Sequence, residues 1–166
     1  TYSRDENPTY RQAEEIIDKL EGGAEALLFA SGLAAATSLF KGLSNGDHVV
    51  IPSVMYYALR VWVKDFAERW GLTYTEFDPT APGSLDAAIR PGETKLVWME
   101  TPSNPTWDVT DIAEAARLAH AAGAQLAVDS TASTPFLTPQ SEHGADYVKQ
   151  SATKYQNGQR DLIAGP

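Results

Sequence analysis

The chain has no cysteine, an excess of acidic residues and no long apolar run, and each of these features excludes a class of protein. Without cysteine there can be no disulfide framework and no Cys-based zinc or iron–sulfur site. Lysine and arginine number 13 against 22 aspartates and glutamates, and the formal charge of −9 argues against a nucleic-acid or anionic-membrane partner. No apolar segment approaches the roughly 20 residues that a membrane span needs.

What the chain does contain is typical of a globular domain. Hydrophobic residues make up 43% and charged residues 21%, so wholesale disorder is not expected. No basic-then-apolar signal segment opens the sequence, and we expect one soluble domain in the cytoplasm. A polar loop at the start and a strand-like run at the end predict that residues 1–166 form part of a larger domain. His48, His120 and His143 share no ligand spacing, so no metal site is predicted.

Helical and strand-like patterns alternate along the chain. Asn7-Pro8 and Gly22-Gly23 are typical of a helix start and a helix stop. Thr110 is predicted to cap a later helix. The apolar periodicity predicts helices over residues 8–21, 32–43, 56–70, 85–89 and 110–122, and strands over residues 26–30, 48–51, 73–77, 95–99, 125–128, 147–149 and 162–164.

This alternation predicts an α/β fold with a mostly parallel sheet and helices on both faces. In such sheets, ligands bind beyond the carboxyl ends of the strands. Polar and reactive residues follow five of the predicted strands, and we therefore expect them to meet at one end of the sheet. These residues are Ser31, Gly32, Tyr56, Glu100, Asp129, Ser151, Thr153 and Lys154.

Each of these residues has an ordinary interpretation and a functional one. Lys154 is either a solvated loop lysine or a Schiff-base nucleophile. Asp129 is either a helix cap or an acceptor for a cationic ring nitrogen or a metal. Ser151 and Thr153 either bind a phosphate or satisfy turn backbone. Together, a lysine, an aspartate, hydroxyls and a helix N-terminus are what pyridoxal phosphate (PLP) requires of a protein.

The motifs that contain these residues resemble those of one enzyme family over nearly the whole chain. They are YSRDENPT, ASGLAA, GDHVVIPSVMYY, ETPSNP, DSTASTPF and SATKYQNG, and the pair ETPSNP and SATKY is the most specific. The chain resembles the PLP enzymes of cysteine and methionine metabolism. This family includes cystathionine γ-synthase, cystathionine β- and γ-lyase, methionine γ-lyase and O-acetylhomoserine sulfhydrylase. The resemblance implies the large PLP-binding domain of the aspartate-aminotransferase-like fold (fold type I), truncated so that the N-terminal arm and C-terminal small domain are absent.

The resemblance also implies a role for each matching residue. Lys154 would hold the cofactor as an internal aldimine and shuttle protons, and Tyr56 would stack on the ring and assist proton transfer. Asp129 would pair with the pyridine nitrogen, with Asn104 near the phenolic oxygen and Glu100 in support. The hydroxyls and backbone groups implied to hold the phosphate belong to Ser31, Gly32, Leu33, Ser151 and Thr153, and Tyr2 and Arg4 would reach the phosphate of a neighbouring subunit.

The implied function is a C–S lyase or synthase acting on cystathionine or an activated homoserine by β- or γ-elimination or replacement. A small amino-acid substrate and a homodimer or homotetramer with shared active sites are implied as well. Tyr57 stands where the family has glycine, which changes the pocket wall. The alternatives are a non-catalytic remnant of this family and a dinucleotide-binding oxidoreductase domain, although the chain lacks the G-x-G-x-x-G that the oxidoreductase needs.

Overall fold

The computed structural model describes residues 2, 7–159 and 161–166, and it contains a five-stranded sheet with helices around it. The strands are β1 (His48–Pro52), β2 (Thr73–Phe77), β3 (Thr94–Glu100), β4 (Gln125–Asp129) and β5 (Tyr147–Lys149). The helices are α1 (Pro8–Glu21), α2 (Gly32–Lys41), α3 (Tyr57–Trp70), α4 (Ser84–Ala88), α5 (Ile112–Ala121) and α6 (Thr134–Leu137), with a 3-10 helix over Gln140–His143.

All the strand pairs of the sheet are parallel, in the order β2-β1-β3-β4-β5. The carboxyl ends of the strands therefore lie at one edge of the sheet. Glu100, Asp129 and Lys149 are the last residues of β3, β4 and β5, and they stand in register across these three strands. The predicted α/β fold with a parallel sheet is confirmed.

Two apolar clusters cover the two faces of the sheet, because successive strand residues point to opposite sides. Val97, Met99 and Val128 pack with α4 and α5 on one face. Trp98 and Ala127 pack with α2 and α3 on the other face. Glu100 and Asp129 follow Trp98 and Ala127 by two residues, so their side chains project toward the face that α2 covers.

Two of the predicted strands do not form, because their residues make too few backbone pairs with another segment. Residues 26–30 and 162–164 were expected to be strands, but among the described residues the strand-like pairing there is limited to an isolated antiparallel bridge between Phe29 and Gly165. Its two hydrogen bonds are 2.8 and 3.1 Å long. One bridge without a neighbouring pair does not make a strand, although it does bring residue 165 onto the N-terminus of α2.

The start of α5 was predicted one residue too early. Asp111, not Thr110, is the N-cap: its carboxylate accepts a 3.0 Å hydrogen bond from the Glu114 N–H. The Thr110 N–H is instead used by the hydroxyl of Thr101, at 3.1 Å, and this bond holds Thr110 to the preceding turn. The short helix α6 and the 3-10 helix were not predicted, because neither is long enough to show helical periodicity.

None of the helices in the described part of the chain combines the length and apolar character needed to cross a bilayer.

Candidate active site at the carboxyl edge of the sheet

The centre of the candidate site is a row of three ionisable side chains. Glu100 is paired in register with Asp129, and Asp129 with Lys149, on neighbouring parallel strands. All three residues are buried. Charged groups are rarely buried without partners, since desolvation costs several kcal/mol per ion. The hydrogen bonds of these three side chains therefore show which groups compensate the cost of burying them.

Glu100 connects two loops at the edge of the sheet. One carboxylate oxygen accepts a 2.7 Å hydrogen bond from the Tyr56 N–H, and the other accepts a 2.9 Å bond from the Asn104 N–H. Burial raises the pKa of Glu100 from its ordinary value of 4.5 to about 7; the negative charge of Asp129 adds to this, and the two N–H groups and Lys149 oppose it. The residue was predicted only to support the site, and its contacts show which residues it holds.

Asp129 has partners on both oxygens. Oδ2 accepts from Lys149 Nζ at 2.7 Å, with the two side chains only 5% and 7% exposed. Oδ1 accepts from the N–H and the hydroxyl of Thr131, at 3.0 and 2.6 Å. Sequence reasoning missed Lys149. The available signal was a lysine at the end of a predicted strand, which is an unusual place for a charge.

Thr131 links Asp129 to the loop that contains Lys154. Its hydroxyl donates to Asp129 and accepts a 2.8 Å hydrogen bond from the Ser151 N–H. Ser151 in turn lies against the first residue of α2: a Cβ on Gly32 would stand 2.8 Å from Ser151 Cβ and 2.9 Å from its Cα. Only glycine fits at this approach, so the N-terminus of α2 and Ser151 form one surface.

The first turn of α2 has unused hydrogen-bond donors. Ser31 is the N-cap, and its hydroxyl accepts a 3.1 Å bond from the Ala34 N–H. Among the described residues, no acceptor takes the N–H groups of Gly32 and Leu33. Free N–H groups and the positive end of the helix dipole attract anions, and a phosphate is a typical ligand of such a helix end.

The loop after β5 presents Lys154 at the surface. Its backbone N–H donates to the Ser151 carbonyl at 2.9 Å, which fixes the turn, and the side chain is exposed. Within the described part of the chain, the ammonium makes no hydrogen bond or ion pair. The Thr153 hydroxyl exchanges hydrogen bonds of 3.2 and 3.3 Å with the backbone of Ala164, so it closes the loop.

The remaining predicted site residues lie at the rim or outside the described residues. The Tyr56 side chain is exposed at 43%, at the start of α3. Asn104 is exposed, and its backbone is held by Glu100. Tyr2 is also exposed. Arg4 lies outside the described residues.

The structure thus joins residues that are far apart in sequence into one continuous series of contacts. It runs from Tyr56 and Asn104 through Glu100 and Asp129 to the loop after β5 and the start of α2; the members in order are Tyr56, Asn104, Glu100, Asp129, Thr131, Ser151 and Gly32. This series offers an anion site at one end, a buried carboxylate in the middle and a nearby free amine on Lys154. These groups fit PLP, which has a phosphate, a ring nitrogen and an aldehyde.

A separate cavity of about 590 Å³ lies between α1, α2 and β5, and none of the predicted site residues lines it. The buried Glu21 at its wall contacts the side-chain amide of Gln150, and burial raises the pKa of Glu21 to about 7.

No group of three or more metal-ligating side chains comes together in the part of the chain that the structure describes.

Comparison with known proteins identifies the family to which these residues belong. The family described as "Cys/Met metabolism PLP-dependent enzyme" matches residues 1–166. The chain is 39% identical over 164 residues to cystathionine beta-lyase MetC of Staphylococcus haemolyticus, covering 99% of the chain and 42% of the relative. It is 43% identical over 171 residues to a putative cystathionine gamma-lyase of Streptomyces coelicolor, again over 99% of the chain and 42% of the relative.

A solved structure gives the same result. The crystal structure of metB from Corynebacterium glutamicum superimposes with a TM-score of 0.94 at 37% identity, covering 99% of this chain and 43% of that one. The chain thus spans less than half the length of the relatives that it matches. The match over all 166 residues, at this identity and with this structural agreement, leads to one conclusion: the chain belongs to the PLP-dependent enzymes of cysteine and methionine metabolism.

Proposed function

We propose that this chain forms the cofactor-binding part of an enzyme that makes or breaks a C–S bond in cystathionine or an activated homoserine. The observation that supports the proposal is the continuous series of contacts from Tyr56 to Gly32, which gathers groups suited to each end of PLP. When bound, PLP supplies an electron-withdrawing ring that stabilises negative charge on the substrate's Cα.

Different residues of the chain bind the phosphate and the ring nitrogen of the cofactor. The N–H groups of Gly32 and Leu33, together with the hydroxyls of Ser151 and Thr153, bind the phosphate. Asp129 carries the negative charge that holds a proton on the ring nitrogen. In the present structure the Thr153 hydroxyl is bonded to Ala164, so binding phosphate requires this side chain to change partner.

Proton transfer is the task of Lys154 and Tyr56. Lys154 would anchor the cofactor covalently, and its amine, when free, would take the proton from the substrate's Cα and return it later. Tyr56 would assist this proton transfer from the rim of the site. Glu100 fixes the backbone of Tyr56 and of Asn104, which keeps both residues at the rim of the site.

Substrate and assembly are also proposals. The relatives named cystathionine beta-lyase, putative cystathionine gamma-lyase and L-methionine gamma-lyase support a small sulfur-containing amino acid as substrate and cleavage as the reaction. We propose a homodimer or homotetramer in which Tyr2 and Arg4 of one subunit reach the phosphate site of the other. Cytoplasmic location stays a prediction.

Borohydride treatment tests the proposed anchor. The complete natural polypeptide is loaded with PLP, reduced and digested, and the modified peptide is identified by mass spectrometry. We expect the adduct on Lys154, and Lys154→Ala should lose both the adduct and nearly all turnover. Lys95→Ala is the matched control, because Lys95 is an exposed strand lysine whose ammonium donates to the Gly92 carbonyl.

Product analysis then identifies the reaction. Cleavage of cystathionine on one side of sulfur gives homocysteine, pyruvate and ammonia, and cleavage on the other side gives cysteine, 2-oxobutyrate and ammonia. Formation of cystathionine from cysteine and an acylated homoserine would instead indicate a synthase. Cleavage of methionine, which gives methanethiol, 2-oxobutyrate and ammonia, and replacement of the acyl group of an acylated homoserine by sulfide are tested in the same way. A protein that binds PLP at Lys154 and is inactive in all of these assays would be the non-catalytic remnant.

A further inference from the structure

Lys149 places a second cation on the carboxylate that the proposed function assigns to the cofactor. Its ammonium lies 2.7 Å from Asp129 Oδ2, and only 7% of its side chain is exposed. The pair is formed by residues in register on adjacent strands, so the backbone of the sheet itself brings the two side chains together. Lys149 is therefore a built part of this edge and not a surface lysine that happens to lie nearby.

The hydrogen bonds of Asp129 show how fully this carboxylate is used. Thr131 donates twice to Oδ1, and Lys149 donates to Oδ2. A protonated ring nitrogen that approaches Asp129 must share Oδ2 with the ammonium or displace it. The cofactor and Lys149 thus require the same oxygen.

The charged groups on both sides of Asp129 raise the free-energy cost of placing a protonated ring nitrogen beside it. Glu100 faces Asp129 from β3, and Lys149 faces it from β5. With a neutral Glu100, the Asp129–Lys149 pair is balanced, and a pyridinium ring adds one uncompensated positive charge to a buried place. Burying this positive charge is unfavourable unless Glu100 loses its proton or the Lys149 ammonium moves away from Asp129.

We propose that Lys149 is a positioning residue that neutralises Asp129 before the cofactor arrives, so that it weakens PLP binding and lowers the preference of the site for a protonated ring nitrogen. The inference rests on the proposed role of Asp129. It concerns binding, and a measurement of affinity can test it without any turnover.

The experiment compares two ligands on wild-type and Lys149→Met protein, using the complete natural polypeptide stripped of cofactor. One ligand is PLP, and the other is its analogue in which carbon replaces the ring nitrogen. Wild type should prefer PLP over the analogue by only a small factor. Lys149→Met leaves the Asp129 carboxylate without its cation, so it should bind PLP at least about tenfold more tightly than wild type and prefer PLP over the analogue by a similar factor.

Two further variants separate charge from packing. Lys149→Arg keeps a cation beside Asp129 and should restore affinities close to those of wild type. Lys149→Gln keeps an N–H donor but no charge and should change the affinities in the same direction as Lys149→Met, which also provides a variant if Met is poorly tolerated. Lys95→Met removes an exposed lysine from β3 and should change nothing.

The outcomes are distinguishable. If wild type takes up no PLP, the proposed function fails and this inference with it. If wild type binds PLP but Lys149→Met and Lys149→Gln bind both ligands as wild type does, Lys149 is only structural, and the inference is wrong while the proposed function stands. Weaker PLP binding in both variants would show that Lys149 supports the cofactor, which also overturns the inference.

Discussion

Glu100 shows how a single buried carboxyl can organise two loops. Its two oxygens accept hydrogen bonds from the N–H groups of Tyr56 and Asn104, which lie in the loops after the neighbouring strands β1 and β3. Each oxygen of the carboxyl group accepts one N–H, so Glu100 holds both loops at once. The same burial that makes these bonds strong raises the pKa of Glu100 to about 7, and its ionisation is therefore linked to folding.

Glu100→Gln should change the pH dependence of stability. Because the pKa of Glu100 in the folded state, about 7, lies above its ordinary value of 4.5, protonation favours folding. This contribution is complete below pH 4.5 and is lost as pH rises to about 7. The unfolding free energy of Glu100→Gln, relative to wild type, should therefore rise by on the order of 2 kcal/mol from about pH 5 to about pH 8.

Urea unfolding at the two pH values measures this difference. Glu21, whose pKa is also raised to about 7, is present in both proteins and cancels in the comparison. Glu68→Gln, which alters an exposed carboxyl, is the matched control. A flat difference for Glu100→Gln would mean that Glu100 titrates like a surface residue.

Among single residues, sequence reasoning singled out those with a recognisable motif and did not single out Lys149. Asp129 and Lys154 lie in segments whose residue types suggest chemistry. Lys149 lies in a short predicted strand, and nothing in the linear sequence indicates that the register of β4 and β5 places it on Asp129. Pairing between strands is a long-range property, so the ion pair could be found only in the structure.

At the scale of elements, the site depends on how closely α2 approaches the loop after β5. Gly32, Ser151 and Gly165 meet where a side chain on either glycine would collide with backbone atoms. The Phe29–Gly165 bridge holds the chain in this position. The start of this helix at residue 32 was predicted, but the approach of residue 165 was not, because the segments that meet there were expected to be regular strands.

Gly32→Ala should disturb this contact specifically. The new Cβ would lie 2.8 and 2.9 Å from Ser151 Cβ and Cα, so the loop or the helix must move. Overpacking of this kind costs about 1–3 kcal/mol. We expect lower stability together with weaker PLP binding, since the N–H groups of the first turn would shift away from Ser151.

Gly42→Ala is the matched control at the other end of α2. Gly42 has φ −73°, which alanine adopts freely, and the nearest atom to its new Cβ would be the Leu39 carbonyl oxygen at 3.4 Å. Unfolding and PLP titration of both variants give the comparison. Equal PLP affinity in Gly32→Ala and Gly42→Ala would show that the first turn of α2 does not hold the phosphate.

At the scale of the whole molecule, the sheet explains why the site lies where it does. Five parallel strands end at one edge, and α2 and α3 cover the face toward which Glu100, Asp129 and Lys149 project. The alternation of strand and helix predicted this edge, because parallel pairing follows from the helical crossovers. The position of residues near the N-terminus relative to a second subunit depends on assembly, which the sequence of one chain does not specify.

Mixing two inactive variants tests whether the active sites are shared between subunits. Arg4→Ala removes the guanidinium proposed to reach a neighbouring phosphate, and Lys154→Ala removes the anchor. In a mixed dimer, one site combines the intact Lys154 of one chain with the intact Arg4 of the other, while the second site lacks both groups. Random exchange makes half of the dimers mixed, so about a quarter of the wild-type activity should return.

Native mass spectrometry must confirm the exchange, and mixing each variant with itself is the control. If mixed dimers form and no activity returns, Arg4 acts within its own subunit or not at all, and the shared-site proposal is wrong.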